Sequence, residues 1–118
     1  MARKTKAELL NGIINPNSVK MLKNNTIEYF KLDGTRVIRH FSTDILIFHK
    51  DKSITFDNGG YDSMTTKERI NEFQNIIGVY QQDHVWYYMT RGKDGLWDRD
   101  NVHKFYNGMR LKANGKRY

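Results

Sequence analysis

Two runs rich in β-branched and aromatic residues, 26–32 and 35–41, are separated by Asp33-Gly34. An Asp-Gly pair between such runs is a strong local hairpin signal, because the favoured tight turns need positive φ, which these residues tolerate. The pair commits the chain to antiparallel pairing early on. Val37, Arg39 and Phe41 then share one face of the second run, and Ile38 and His40 the other. The alternation slips at Ser42-Thr43-Asp44, where a bulge or corner is expected. Residues 45–49 are nearly all apolar and read as a strand buried on both faces. Lys50-Asp51-Lys52 turns the chain, and residues 53–57 pair back with Ile54 and Phe56 inward. A second β region covers residues 79–90, with a turn expected at Gln82-Asp83 and the most β-prone stretch at Val85-Trp86-Tyr87-Tyr88-Met89. Residues 91–100 are polar and bear glycine, and they read as a loop that holds Trp97. A strand over 102–106, a turn at Asn107-Gly108 and a short partner over 109–111 complete the pattern.

Two helices are expected. Thr5 with Glu8 three residues on makes a capping box, and Leu9, Leu10, Ile13 and Ile14 form an apolar stripe that ends before Pro16. Thr65 with Glu68 makes a second capping box, and Ile70, Phe73, Ile76 and Ile77 keep helical spacing over 66–77 until Gly78 stops it. A chain of 118 residues suits one domain. The expected fold is a single small α+β domain: antiparallel β-meanders with an N-terminal helix and a central capped helix packed on the sheet. Residues 1–25 read as a helical extension, 26–111 as the core and 112–118 as a basic tail. No apolar run is long enough to span a membrane, no secretory signal opens the chain, and cysteine is absent, so disulfides and thiolate metal sites are excluded.

The net charge is +7, and its distribution says more than its size. Residues 1–31 hold six bases (Arg3, Lys4, Lys6, Lys20, Lys23, Lys31) against Glu8 and Glu28. Residues 91–118 hold eight (Arg91, Lys93, Arg99, Lys104, Arg110, Lys112, Lys116, Arg117) against Asp94, Asp98 and Asp100. The middle carries slightly more acids than bases. Basic ends attract polyanions through counterion release, and they also serve simply as solvated, solubilising segments.

Asn58-Gly59-Gly60-Tyr61, then Thr65-Thr66-Lys67 and Arg69-Ile70-Asn71, resembles a pattern found in small uncharacterised tailed-phage proteins. Those proteins share an aromatic strand like Val85-Trp86-Tyr87-Tyr88 and a closing segment like Tyr106-Asn107-Gly108-Met109-Arg110-Leu111. The resemblance covers residues 36–111 and implies a phage origin; it carries no activity.

Most site chemistry fails on spacing. His40, His49, His84 and His103 are scattered, and no nucleophile elbow or phosphate loop is present. The expectation is a non-enzymatic protein with no cofactor and no metal. A glycine turn before a capped helix can cradle an anion, which makes Gly59, Gly60, Thr65, Thr66 and Lys67 a candidate site, with a plain structural turn as the alternative. Bases and aromatics interleave near the end (Arg91, Lys93, Trp97, Arg99, Lys104, Arg110, Lys112, Lys116, Arg117), as in proteins that hold single strands without base readout. The leading expectation is therefore a phage accessory protein of the host cytoplasm or the virion that binds nucleic acid non-specifically through basic termini. The alternative is a phage protein that binds a host or virion protein, with Trp97 and Tyr61 as its exposed aromatic patch.

Overall fold

The structure, a computed structural model, describes residues 9–10, 12–23, 25–60 and 63–118. A 3₁₀ turn at Pro16–Ser18 precedes five strands: β1 (Lys20–Lys23), β2 (Thr26–Phe30), β3 (Arg36–His40), β4 (Thr43–Phe48) and β5 (Ile54–Phe56). Helix α1 (Met64–Phe73) follows, then β6 (Ile77–Gln82), β7 (Val85–Arg91), β8 (Trp97–Lys104) and β9 (Met109–Leu111). Six strands form one antiparallel sheet in the order β1-β2-β3-β4-β5-β9. The other three form a second sheet in the order β6-β7-β8.

The Asp33-Gly34 hairpin forms between β2 and β3. Gly34 sits at φ +91, the Asp33 carboxylate accepts the Thr35 N–H at 2.9 Å, and the Lys31 and Thr35 backbones bond at 2.9 Å. The slip near Ser42-Thr43-Asp44 appears as a register shift: Ile38 faces Leu46 while Arg39 faces Asp44. That shift leaves Arg39 beside Asp44, with Nε to carboxylate at 2.7 Å, and its guanidinium also reaches the Leu9 carbonyl and the Tyr29 hydroxyl. Burial, helped by the neighbouring Asp44, pushes the Tyr29 pKa up to about 12.

The main core lies between the two sheets and under α1. Ile38, Leu46, Ile54 and Phe56 of the large sheet meet Ile70 of the helix and Ile77, Val79, Trp86 and Tyr88 of the small sheet. A smaller cluster on the far face of the large sheet joins Ile27, Tyr29 and Val37 to Leu9, with Leu10, Ile13 and Val19 against it. Both faces of the large sheet are thus covered.

The α+β expectation is corrected. The described residues are mostly β, with nine strands in two antiparallel sheets and one short helix. The expected N-terminal helix falls largely on residues outside those described. The central helix is not the one the periodicity implied. Its cap is Ser63, whose hydroxyl accepts the Thr66 N–H at 3.1 Å, so Thr65 lies inside the helix and the Thr65/Glu68 box does not form. It ends at Phe73 because Gln74 turns extended (φ −148). The buried Gln74 amide donates to the carbonyls of Ile70 and Ile77 and accepts the N–H groups of Ile76 and Ile77. Ile77 opens β6, and Gly78 lies inside that strand instead of stopping a helix.

Residues 91–100 also depart from the expected loop. Only a short turn separates β7 from β8, closed by Gly92 N–H to Leu96 carbonyl at 2.7 Å. β8 then starts at Trp97. Residues 112–118 double back along β9. Lys112 and Lys116 pair across a turn at 2.7 Å, Leu111 bridges Arg117, and the Tyr118 N–H reaches the Arg110 carbonyl at 3.0 Å.

Candidate nucleic-acid interface

In a strand, alternate side chains point to opposite faces. On the small sheet, Ile77, Val79, Trp86, Tyr88 and Thr90 point to the core and are buried. The other face carries Gly78, Tyr80, Tyr87, Met89, Arg91, Trp97, Val102 and Lys104, matched by the registers Tyr80↔Tyr87↔Lys104, Gly78↔Met89↔Val102 and Arg91↔Trp97. None of the aromatic or aliphatic members of this face belongs to either core cluster. Tyr80, Tyr87, Met89 and Trp97 are half-buried, and Val102 is exposed. Among the described residues, this sheet therefore has an uncovered aromatic face.

Its rings are fixed by their neighbours. Tyr80 and Tyr87 stack with centroids 5.7 Å apart. The Trp97 indole lies against Gly78, where an added Cβ would stand 3.2 Å from the ring. The Arg91 guanidinium covers that indole at 4.0 Å, and it is held in turn by the carbonyls of Asn75 and Gly95. Arg91 is thus a fixed cation on a fixed ring.

The other basic candidates fall in separate places. Lys104 stands beside Tyr87 on the aromatic face, and Arg99 is exposed on β8. Lys93 is exposed in the β7–β8 turn. None of these three makes an ion pair among the described residues. Lys116 and Arg117 border a groove of about 520 Å³ on the opposite side of β8, with Tyr88, Arg91, Asn101 and His103, and no carboxylate lines it. Arg117 packs over Tyr106 at 5.5 Å. Arg110 stands apart on the large sheet, bonded to Ser53 and Asp51 and lying 3.7 Å from the centre of the Tyr118 ring. Hydrogen bonds from the Ser53 hydroxyl and backbone, with Arg110 adding charge, hold the Asp51 carboxyl well below the usual carboxylate range. Lys112 is exposed at the final turn. Acids temper the β8 region: Asp94 and Asp98 lie beside these bases, each accepting a backbone N–H two residues on.

The glycine turn is already occupied. The Gly59 and Gly60 N–H groups donate to the side-chain oxygens of Asp57 and Asn58, at 2.6 and 2.8 Å. Gly59 has φ +68, and a Cβ there would stand 2.3 Å from the Thr43 hydroxyl, so glycine is required for packing. Thr66 is buried and hydrogen-bonded to Ser63, Thr65 is exposed, and Lys67 is half-buried. Arg3, Lys4, Lys6 and Tyr61 lie outside the described residues. No helix of the described residues is long and apolar enough to cross a membrane.

Sequence reasoning placed Trp97 in a loop and passed over Tyr80, Tyr87 and Gly78 as members of a site. The signal for them was alternation: Tyr80 and Tyr87 are the residues of their strands that do not share parity with Val79 and Tyr88.

The family model described as Kyanoviridae Gp96 protein matches residues 2–112. No curated protein and no solved structure matches the chain. The match spans nearly the whole sequence, so the chain belongs to that cyanophage family.

Proposed function

From that membership in a phage protein family, we propose that the chain is a small non-enzymatic accessory protein that binds single-stranded nucleic acid without reading its bases, in the infected cell or on the virion. The observation that carries this reading is the uncovered face of the small sheet, where Tyr80 and Tyr87 offer ring surfaces beside Lys104, and where Trp97, packed on Gly78, carries the Arg91 guanidinium as a cationic cover. Every base has a π-face, so such a platform tolerates any sequence, and nearby cations track the phosphates. Lys116 and Arg117, in the groove across β8, extend the positive field around that edge strand.

Anisotropy of labelled oligothymidylate and of a duplex of equal length, at two ionic strengths, tests the reading. Single strands are expected to bind more tightly than duplex, with affinity falling as salt rises. Trp97→Ala is expected to weaken single-strand binding by about ten-fold, from the loss of the ring that seats the Arg91 guanidinium in the platform, a contact worth about 1–3 kcal/mol. Binding unchanged by salt and by Trp97→Ala overturns the reading. A host or virion protein captured through Trp97, with no oligonucleotide bound, replaces it by the protein-partner alternative.

A further inference from the structure

We propose that the groove between β8 and the turn at 112–116 receives a phosphate group, supplied by the nucleic-acid backbone or by free phosphate. The proposal deepens the function above, and for the backbone as source it rests on that reading. The groove, about 520 Å³, lies on the side of β8 opposite the platform, and no carboxylate lines it. Strand register explains why its β residues share one side. Tyr88 pairs with His103, and Asn101 stands two residues before His103, with its amide on the Thr90 hydroxyl, so these side chains point the same way. The facing wall is the turn, folded back by the bridge between Leu111 and Arg117. Gly115 seats that turn on β7: it has φ +84, and a Cβ there would stand 2.8 Å from the Thr90 side chain.

Contacts gather the donors around one ring. The Arg117 guanidinium donates to the Tyr88 hydroxyl and stands over the Tyr106 ring at 5.5 Å. The His103 ring stacks on that of Tyr88, with centroids 5.1 Å apart. Guanidinium and imidazole thus lie against the same buried tyrosine. Arg117 makes no ion pair among the described residues, and one hydroxyl oxygen cannot use all five of its N–H donors. The histidine is oriented as well. Asn101 donates its amide N–H to Thr90 at 2.7 Å, so its oxygen accepts from His103 Nε2 at 2.7 Å and fixes the proton there. Nδ1 is left open, and it becomes a second donor once the ring is doubly protonated. Lys116 adds positive charge at the border. A held guanidinium beside an oriented imidazole, with no acid in the groove, matches a phosphate oxyanion. β8 is the edge strand of its sheet, and its neighbours His103 and Lys104 point to opposite faces. A single strand lying on the platform beside Lys104 reaches the groove by passing over that free edge.

The sequence has four histidines, so the ring C–H signals in a proton spectrum are few, and His103→Gln identifies the one that belongs to His103. The probes are sodium phosphate, sodium chloride at the same ionic strength and pH, oligothymidylate, and the same oligomer with uncharged methylphosphonate linkages. The His103 signal is expected to shift with phosphate and with oligothymidylate, and not with chloride or the uncharged oligomer. Arg117→Gln is expected to weaken the phosphate response by about ten-fold, the loss of one charge-assisted contact. Lys93→Gln, which removes the same charge from the β7–β8 turn, is expected to leave it unchanged. A His103 signal unmoved by both phosphate-bearing probes, moved equally by chloride or by the uncharged oligomer, or weakened equally by the two variants overturns the proposal. Oligothymidylate that moves the Trp97 indole signal, with His103 still under every probe, removes the groove and keeps the platform. Phosphate that moves His103 while no oligomer binds keeps the groove, with free phosphate as its ligand, and removes the platform.

Discussion

The two sheets are built by the same hairpin physics and finished differently. The large sheet is covered on both faces, by the main core and by the segment around Leu9–Val19. Its arginines find carboxylates: Arg36 with Glu28, Arg39 with Asp44 and Arg110 with Asp51. The small sheet buries one face and leaves the other open, and its Arg91 finds a ring and two carbonyls instead of an acid. A satisfied charge in a covered sheet contributes to the frame, whereas rings in an uncovered sheet leave contact surface unused. The comparison places stability in the first region and, on the function proposed above, recognition in the second.

The largest effect that could break this division is on unfolding. Phe56 is fully buried between the sheets, so Phe56→Ala is expected to cost about 3–5 kcal/mol in urea denaturation. Tyr87→Ala, on the open face, is expected to cost about 1 kcal/mol or less, the worth of one cross-strand aromatic pair. Equal losses would mean that the open face is part of the frame. A smaller effect sharpens the role of the platform. Gly78→Ala puts a methyl 3.2 Å from the Trp97 ring, so the indole and the Arg91 guanidinium over it must shift by a few tenths of an ångström. Oligothymidylate affinity, read by anisotropy, is expected to fall about five-fold, roughly 1 kcal/mol, with little change in the urea midpoint. Unchanged affinity would detach Trp97 from binding.

The smallest effect concerns pH and belongs to the large sheet. Burial, reinforced by the Arg69 charge, lowers the pKa of His40, and burial with the Arg110 charge lowers that of His49. Above about pH 6.5 both histidines are neutral whether the chain is folded or unfolded. As pH falls through that value, the unfolded chain takes up protons that the folded sites resist, so stability declines toward acid. Urea midpoints at about pH 7.5 and about pH 5 should show this decline, reduced in His40→Gln. A midpoint that rises on acidification would contradict the burial of these rings.

How much of this was legible depends on what carried the signal. Asp33-Gly34 spoke for itself, because a tight turn is a local matter of φ. Residues 70–77 misled because Ile76 and Ile77 keep helical spacing after Ile70 and Phe73. The chain is diverted there by polar clamps that periodicity does not see. Gln74 ties up the end of the helix, and the Asn71 amide bonds both the N–H and the carbonyl of Val79 at 2.8 Å, standing in for a strand partner of β6. The first half of β8, residues 97–100, read as loop because charged Asp98, Arg99 and Asp100 follow Trp97, and charge is how edge strands discourage unwanted pairing. The basic residues were readable by type, but whether a cation is paired, as Arg110 is, or without an acidic partner among the described residues, as Lys104 is, depends on contacts far apart in sequence.

The position of β9 has a consequence for how the molecule comes together. Phe56 of β5 faces Met109, so the large sheet's last seam joins residues that the whole small sheet separates along the chain. During synthesis the outer border of β5 has to wait for that late segment, which makes the closing step non-local and slow. Since β5 is only three residues long, it offers a poor template to a stray neighbour while it waits.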